Sequence, residues 1–192
     1  MPRIHVIGAA GAGTTTLARA IAGRLRIPHF DSDSYYWIPT VPPYKTKRDK
    51  PVRDQRMRED LHRFDDWVWS GSAVSWKHGS EDRLQLCVFL TLPAELRLHR
   101  LRLREEQEHI DLPYVSKAEI ERELEDFMEW AARYDEDGLE VRSRVLHEKW
   151  LATLSCPVLR IDGDGPTNAH VAQVLDTLRE LDIEQMPNPE RQ

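Results

Sequence analysis

Three glycines and three threonines fall within nine consecutive positions near the start of the chain, in Gly8-Ala9-Ala10-Gly11-Ala12-Gly13-Thr14-Thr15-Thr16. Glycine lets the backbone curl and leaves its N–H groups bare, so several amides can converge on one anion. A hydroxyl at the end of such a turn offers a further donor, or an oxygen ligand for a hard divalent cation. From Gly8 to Thr15 the spacing is that of G-x-x-x-x-G-K-[ST], with Thr14 where that pattern has lysine. Thr15 keeps the hydroxyl that the pattern places on Mg²⁺. The chemistry this predicts is capture of a polyphosphate by the residues Gly8, Ala10, Gly11, Ala12, Gly13, Thr14, Thr15 and Thr16. Without the lysine, the phosphate charge must be met by another cation, or the loop binds without transferring. An ordinary Gly/Ala-rich turn between a strand and a helix is the plain alternative.

A second group is Asp31-Ser32-Asp33-Ser34, directly after the short apolar stretch Ile27 to Phe30. If that stretch is a strand of a parallel sheet, its acids sit at a carboxyl end, where ligands bind. Two carboxylates there can hold Mg²⁺ through water, or orient and deprotonate an attacking hydroxyl. We assign Asp31 with Thr15 to the metal and Asp33 to the acceptor, although spacing alone leaves the two acids exchangeable. Helix capping competes for one of them.

Cations are the third group. Arg100 and Arg104, four apart, share a helix face and suit stacking on a base and pairing with phosphate. Arg97 and Arg102 read instead as a solvated face. Arg142 and Arg144, with Arg133 third, are the candidates to replace the absent lysine, since an arginine from outside the loop can stabilise a transferring phosphoryl group. Surface pairing with Glu140 or Glu148 is their alternative. Lys45 to Arg58 holds seven basic and two acidic residues in a chain of net charge −6, which predicts a local site for an anionic acceptor. The acidic total argues against a nucleic-acid partner.

These groups need a scaffold. Ile4, Val6 and Ile7 predict a buried first strand, and Leu17, Ala18, Ile21, Ala22 and Leu25 the helix after the loop. Ile27 to Asp31, Trp67 to Ser70, Leu86 to Leu92 and Cys156 to Ile161 predict four further strands. Val52 to Phe64, a segment opened by Pro93, Lys117 to Tyr134, a stretch through Trp150 and Pro166 to Leu181 predict helices. Tyr35 to Pro43 is too rich in proline for one regular helix. Residues from about 107 to 142 are strongly charged and read as a lid between the fourth and fifth strands. The fold class is therefore α/β with a parallel sheet. At 192 residues one domain is expected, over 1–183, with a fraying tail at 184–192. No apolar run has membrane-spanning length and none resembles a signal peptide, so a cytoplasmic protein with no membrane partner is expected. Cys87 and Cys156 read as buried thiols, and His5 as a packed residue.

Taken together, these motifs resemble the P-loop kinases of small molecules, the family of adenylate, shikimate and gluconate kinases. Phe30-Asp31-Ser32-Asp33 is similar to the shikimate kinase segment whose acids contact Mg²⁺ and the acceptor hydroxyl. Pro93-Ala94-Glu95-Leu96, with Arg100 and Arg104, resembles the adenylate kinase segment whose arginines hold adenine and phosphates. More narrowly, the loop is similar to that of bacterial adenylate-kinase-like proteins with Gly-x-Gly-Thr-Thr. The resemblance implies a three-layer α/β/α sandwich around a five-stranded parallel sheet of order 2-3-1-4-5, with an acceptor-binding insert at about 34–64 and a lid. It also implies ATP and Mg²⁺, and transfer of the γ-phosphate to a small anionic acceptor, as in an adenylate kinase-like enzyme. A nucleotide-binding module without transfer is the alternative that Thr14 raises. A GTPase is disfavoured, because no Asn-Lys-x-Asp segment follows the fourth strand.

Overall fold

The structure is a computed structural model that describes residues 2–41, 43–109, 116–139 and 141–185. Residues 110–115 and 140 of the expected lid, and 186–192 of the expected tail, lie outside the described residues.

Strand β1, Arg3–Gly8, sits at the centre of the main sheet, between β5 (Trp67–Ser70) and β6 (Leu86–Thr91), and pairs parallel with both. β2 (His29–Asp31) borders β5, and β7 (Val158–Asp162) borders β6, again in parallel. The order β2-β5-β1-β6-β7 is 2-3-1-4-5 when these five strands are numbered along the chain. Two residues each of β3 (Trp37–Ile38) and β4 (Thr46–Lys47) form a separate antiparallel ladder that sequence periodicity did not show.

Both faces of the sheet are covered, which is why its strands are continuous apolar runs rather than alternating ones. Side chains still alternate along each strand. Ile4, Val6, Val68, Val88 and Leu90 face a core shared with Leu17 and Ile21 of α1 (Thr14–Leu25) and Val171 and Val174 of α7 (Thr167–Gln185). On the other face, Trp67 and Trp69 pack with Met57 and Leu61 of α3 (Lys50–Arg63). Ile7, Cys87 and Phe89 pack there with Leu151 of α6 (Arg144–Leu151). The result is the expected three-layer α/β/α sandwich. His5 belongs to that second face: its ring stacks on Trp69 with centroids 3.6 Å apart, and burial pushes its pKa down to about 3. Cys87 is buried, Cys156 is half-buried, and both are free thiols.

Parallel pairing brings the carboxyl ends of three strands to one edge. Asp31 lies opposite Ser70, and Ser70 opposite Val6, two residues before Gly8. Around that edge stand α2 (Ser32–Tyr36), α4 (Ala94–His109) and α5 (Lys117–Ala132).

Candidate active site

After Gly8 the chain turns through Ala9 to Gly13, closed by the Ala12 N–H donating to the Ala9 carbonyl at 3.2 Å. Gly11 and Gly13 have φ of +78° and +94°, in the left-handed region that glycine enters without strain. At Gly11 space adds a second requirement, since a Cβ would lie 2.5 Å from the carbonyl oxygen of Arg97 on α4. Gly13 caps α1 and offers no side chain to its first turn. The N–H groups of that turn have no partner within a helix, so they and the positive end of the helix dipole are left for a ligand. Residues 9–17 line a cavity of about 1180 Å³, which exceeds what one small ligand ordinarily fills. Thr14 is only 8% exposed, and its methyl lies 3.1 Å from where a Cβ on Gly8 would be. Its side chain packs inward.

Thr15 donates its hydroxyl to Asp31 Oδ2 at 3.0 Å, while Asp31 Oδ1 accepts the Asp33 N–H at 3.0 Å. Asp31 is thus both the cap of α2 and the partner of the loop hydroxyl, and the two readings of this acid coexist. The Asp33 carboxylate accepts no hydrogen bond among the described residues and lines the cavity. Asp33 is an exposed residue that faces the cavity. Partial desolvation by the surrounding wall raises its pKa, nearby Asp31 raises it further, and Arg142 and Arg104 oppose the shift. Among the described residues, no three His, Cys, Asp or Glu side chains converge as a cation cage. A hydroxyl with one or two carboxylates is a sparse donor set. It fits Mg²⁺, which keeps waters and takes its other oxygens from phosphate, better than a metal needing a complete protein cage.

Arg142 reaches the loop from 134 residues away, with Nη2 donating to the Gly8 carbonyl at 2.7 Å. Its guanidinium carbon lies 5.9 Å from the Trp130 ring centre. Burial lowers its pKa, and the charges of Asp33 and Asp31 help to hold it protonated. Its Nε is buried without a partner. Thr14 and Arg142, far apart in the sequence, therefore converge on Gly8. Arg144 does not line the cavity. Its Nε donates to Asp135 Oδ1 at 2.7 Å, and this corrects its placement beside Arg142 at the phosphates. Arg133 likewise pairs outward, with Asp137 at 2.7 Å. Arg100 and Arg104 do line the cavity, and Arg100 makes a long 3.4 Å contact to the Gly163 carbonyl and a 3.8 Å ion pair with Asp164.

Arg97 overturns the expectation of a solvated arginine. It is 1% exposed and donates to Asp135 at 2.8 Å, to the Ala131 carbonyl at 3.2 Å and to the Ala10 carbonyl at 3.4 Å. It thus ties the glycine loop to the end of α5. The signal was its spacing: Arg97 stands four before Leu101, itself buried, and so shares the inward stripe of α4.

On the opposite wall the basic run divides. Arg48 donates to the carbonyls of Tyr35 and Trp37, Arg53 is buried against Trp76 at 3.9 Å, and Arg58 donates to the carbonyls of Lys77 and His78. Those three are engaged within the fold. Only Lys45 and Lys47 of the run line the cavity, among Tyr36, Trp37 and Trp76. Lys45 forms an ion pair with Glu123 of α5 across it.

No family model matches the chain. The uncharacterized protein YqaC of Bacillus subtilis (strain 168) is 42% identical over 175 residues, which cover 91% of this chain and 96% of that protein. A shikimate kinase from Bacteroides thetaiotaomicron superposes with a TM-score of 0.54 at 21% identity, covering 93% of this chain and 98% of that one. A shikimate kinase from Acinetobacter baumannii, in complex with shikimate, gives 0.54 at 18% identity and 94% of each chain. The two structural likenesses identify the fold as that of these shikimate kinases.

Proposed function

We propose a phosphotransferase function for this chain, which belongs to the same family as Bacillus subtilis YqaC. The reaction is transfer of the γ-phosphate of ATP to a small acceptor, in the manner of an adenylate or shikimate kinase. The carrying observation is Arg142: a guanidinium seated on the Gly8 carbonyl, at the loop that lacks its lysine and lining the same cavity as Asp33.

Amides from Ala10 to Thr16 hold the β- and γ-phosphates against the uncapped end of α1. Arg100 and Arg104 hold the rest of the nucleotide. Mg²⁺, when bound beside Thr15 and Asp31, neutralises phosphate oxygens. Asp33 orients the acceptor hydroxyl and takes its proton as the new O–P bond forms and the bond to the β-phosphate breaks, releasing ADP. A carboxylate of raised pKa is the better base for that step. Arg142 meets the charge spread over the transferring group. Arg144 enters through Asp135, which it shares with Arg97, and not at the phosphates. The acceptor lies against Tyr36, Trp37 and Trp76, with Lys45 and Lys47 favouring an anion.

We also read the 117–139 segment as the described part of a lid over one domain. Its ion pair between Glu123 and Lys45 joins two side chains that are each 39% exposed. Such a pair contributes only about 0.2–1 kcal/mol, so breaking it on opening costs little.

A nucleotide-binding module without transfer is the second reading, and Thr14 favours it. Coupled ADP release with nucleoside monophosphates, shikimate and gluconate, run beside calorimetry with MgATP, separates the two. Acceptor-dependent ADP release is the expected result. Tight ATP binding with no turnover on any acceptor supports the module, and no ATP binding contradicts both.

A further inference from the structure

His147 is fully buried between two hydroxyls. Its Nε2 lies 2.9 Å from Ser72 Oγ and its Nδ1 lies 2.8 Å from Tyr134 Oη. Burial, with Arg142 and His5 nearby, pushes its pKa down to about 3, so the ring is neutral at physiological pH. Tyr134 is 4% exposed and burial pushes its pKa up to about 12, so the phenol keeps its proton. A neutral imidazole has one donor and one acceptor nitrogen, which leaves two arrangements.

In the first, Nδ1–H donates to Tyr134 Oη and Ser72 donates to Nε2. The buried phenol hydrogen then has no acceptor among the described residues. In the second, Tyr134 donates to Nδ1 and Nε2–H donates to Ser72 Oγ. Every buried donor is then satisfied, and only the Ser72 hydrogen is left. Ser72 lines the cavity, just past the carboxyl end of β5 and next to the β2 end at Asp31, from which α2 and Asp33 follow. An orphaned buried donor disfavours the first arrangement by roughly 5- to 150-fold.

We infer that the Ser72 hydroxyl is a fixed hydrogen-bond donor to an oxygen of the phosphoryl acceptor, its proton turned into the cavity by Tyr134 acting through His147. This rests on the phosphotransfer reading above. Ser72 is the group that touches the acceptor, and His147 and Tyr134 are positioning residues. They stand on α6 and on the 3₁₀ turn Arg133–Asp135, after α5. The relay therefore links the insert that covers the cavity to the acceptor wall. An acceptor presenting a carboxylate, phosphate or hydroxyl oxygen at this point is favoured over one presenting only donors.

The test is histidine tautomer analysis on the ¹⁵N-labelled full chain, together with kinetics. His147 should be a neutral Nε2–H ring throughout pH 5 to 9. Tyr134→Phe should remove that preference without touching the cavity. With the most rapidly phosphorylated compound among nucleoside monophosphates, shikimate and gluconate, Ser72→Ala and Tyr134→Phe should each raise the acceptor KM about ten-fold. The KM for ATP should stay unchanged, and Ser72→Thr should restore the acceptor KM. An Nδ1–H tautomer, a charged ring, or an unchanged acceptor KM in Ser72→Ala overturns the inference. If no compound is phosphorylated, the phosphotransfer reading fails, and the tautomer alone decides whether Ser72 faces the cavity as a donor.

Discussion

Exchanging the cation between its two ends of the chain is the sharpest perturbation of this site. Arg142 makes a charge-assisted bond of 2.7 Å to Gly8, the position against which Thr14 packs its methyl. Arginines that meet charge on a transferring phosphoryl group contribute about 10³- to 10⁵-fold. Arg142→Ala should therefore lower kcat by about 10³-fold, or about 4 kcal/mol of barrier. ATP affinity should fall by less than about ten-fold, because the loop amides remain. Thr14→Lys alone brings a second cation beside the same glycine. At about 4 Å and an effective dielectric of about 20, two like charges repel by about 4 kcal/mol. That single variant should thus lose stability and bind ATP more weakly. The double variant, Arg142→Ala with Thr14→Lys, has one cation again and should recover at least about ten-fold of the lost turnover. Coupled ADP release and MgATP calorimetry on all four proteins give the cycle. Arg142→Ala within about three-fold of the parent rate, or a double variant no faster than Arg142→Ala, refutes the reasoning.

Asp33→Asn should abolish acceptor-dependent turnover while leaving the melting temperature equal or higher at neutral pH. The folded pKa of Asp33 lies above its ordinary value, so the folded chain holds the extra proton between the two values and stability falls as pH rises through that window. The asparagine variant should lose that slope in melting curves taken against pH, and the parent rate should fall as pH drops through the raised pKa. Arg97→Met should cost about 2–4 kcal/mol in urea unfolding, since it strips a buried charge partner from Asp135 and leaves the Ala10 and Ala131 carbonyls short of a donor. Gly11→Ala should destabilise by about 2–3 kcal/mol, and Gly13→Ala by about 1 kcal/mol, because only the first adds a backbone clash to the positive φ. Equal losses in the same unfolding experiment would contradict that difference.

The fold was legible because its signals are local. Ile4, Val6 and Ile7 before three glycines, and Leu86 to Leu92, are runs that only a covered parallel sheet buries. The order of the five strands came from resemblance, since no spacing encodes which strand neighbours which. Thr15 and Asp31 were legible singly, and their 3.0 Å contact followed from parallel strands ending at one edge. What stayed hidden was long-range. Nothing near Arg142 in sequence says that it, and not Arg144, reaches Gly8. Helical turning separates the two, with Ser143 capping α6 between them. Ser72 and His147 are 75 residues apart and neither carries a motif. Most arginines of the basic run at 45–58 went into the fold for another reason. Arginine can be buried when aromatic faces and carboxylates accept it, as Trp76 and Asp54 accept Arg53.

The most direct measurement is a crystal structure with Mg²⁺ and a non-hydrolysable ATP analogue. The β- and γ-phosphates should lie on the amides of Ala10 to Thr16, with Arg142 turned from the Gly8 carbonyl to within hydrogen-bond reach of the γ-phosphate. Triphosphate bound elsewhere, or bound at the loop with Arg142 still on Gly8 and no cation at the γ-phosphate, would contradict the assignment of Arg142 to the lysine's place.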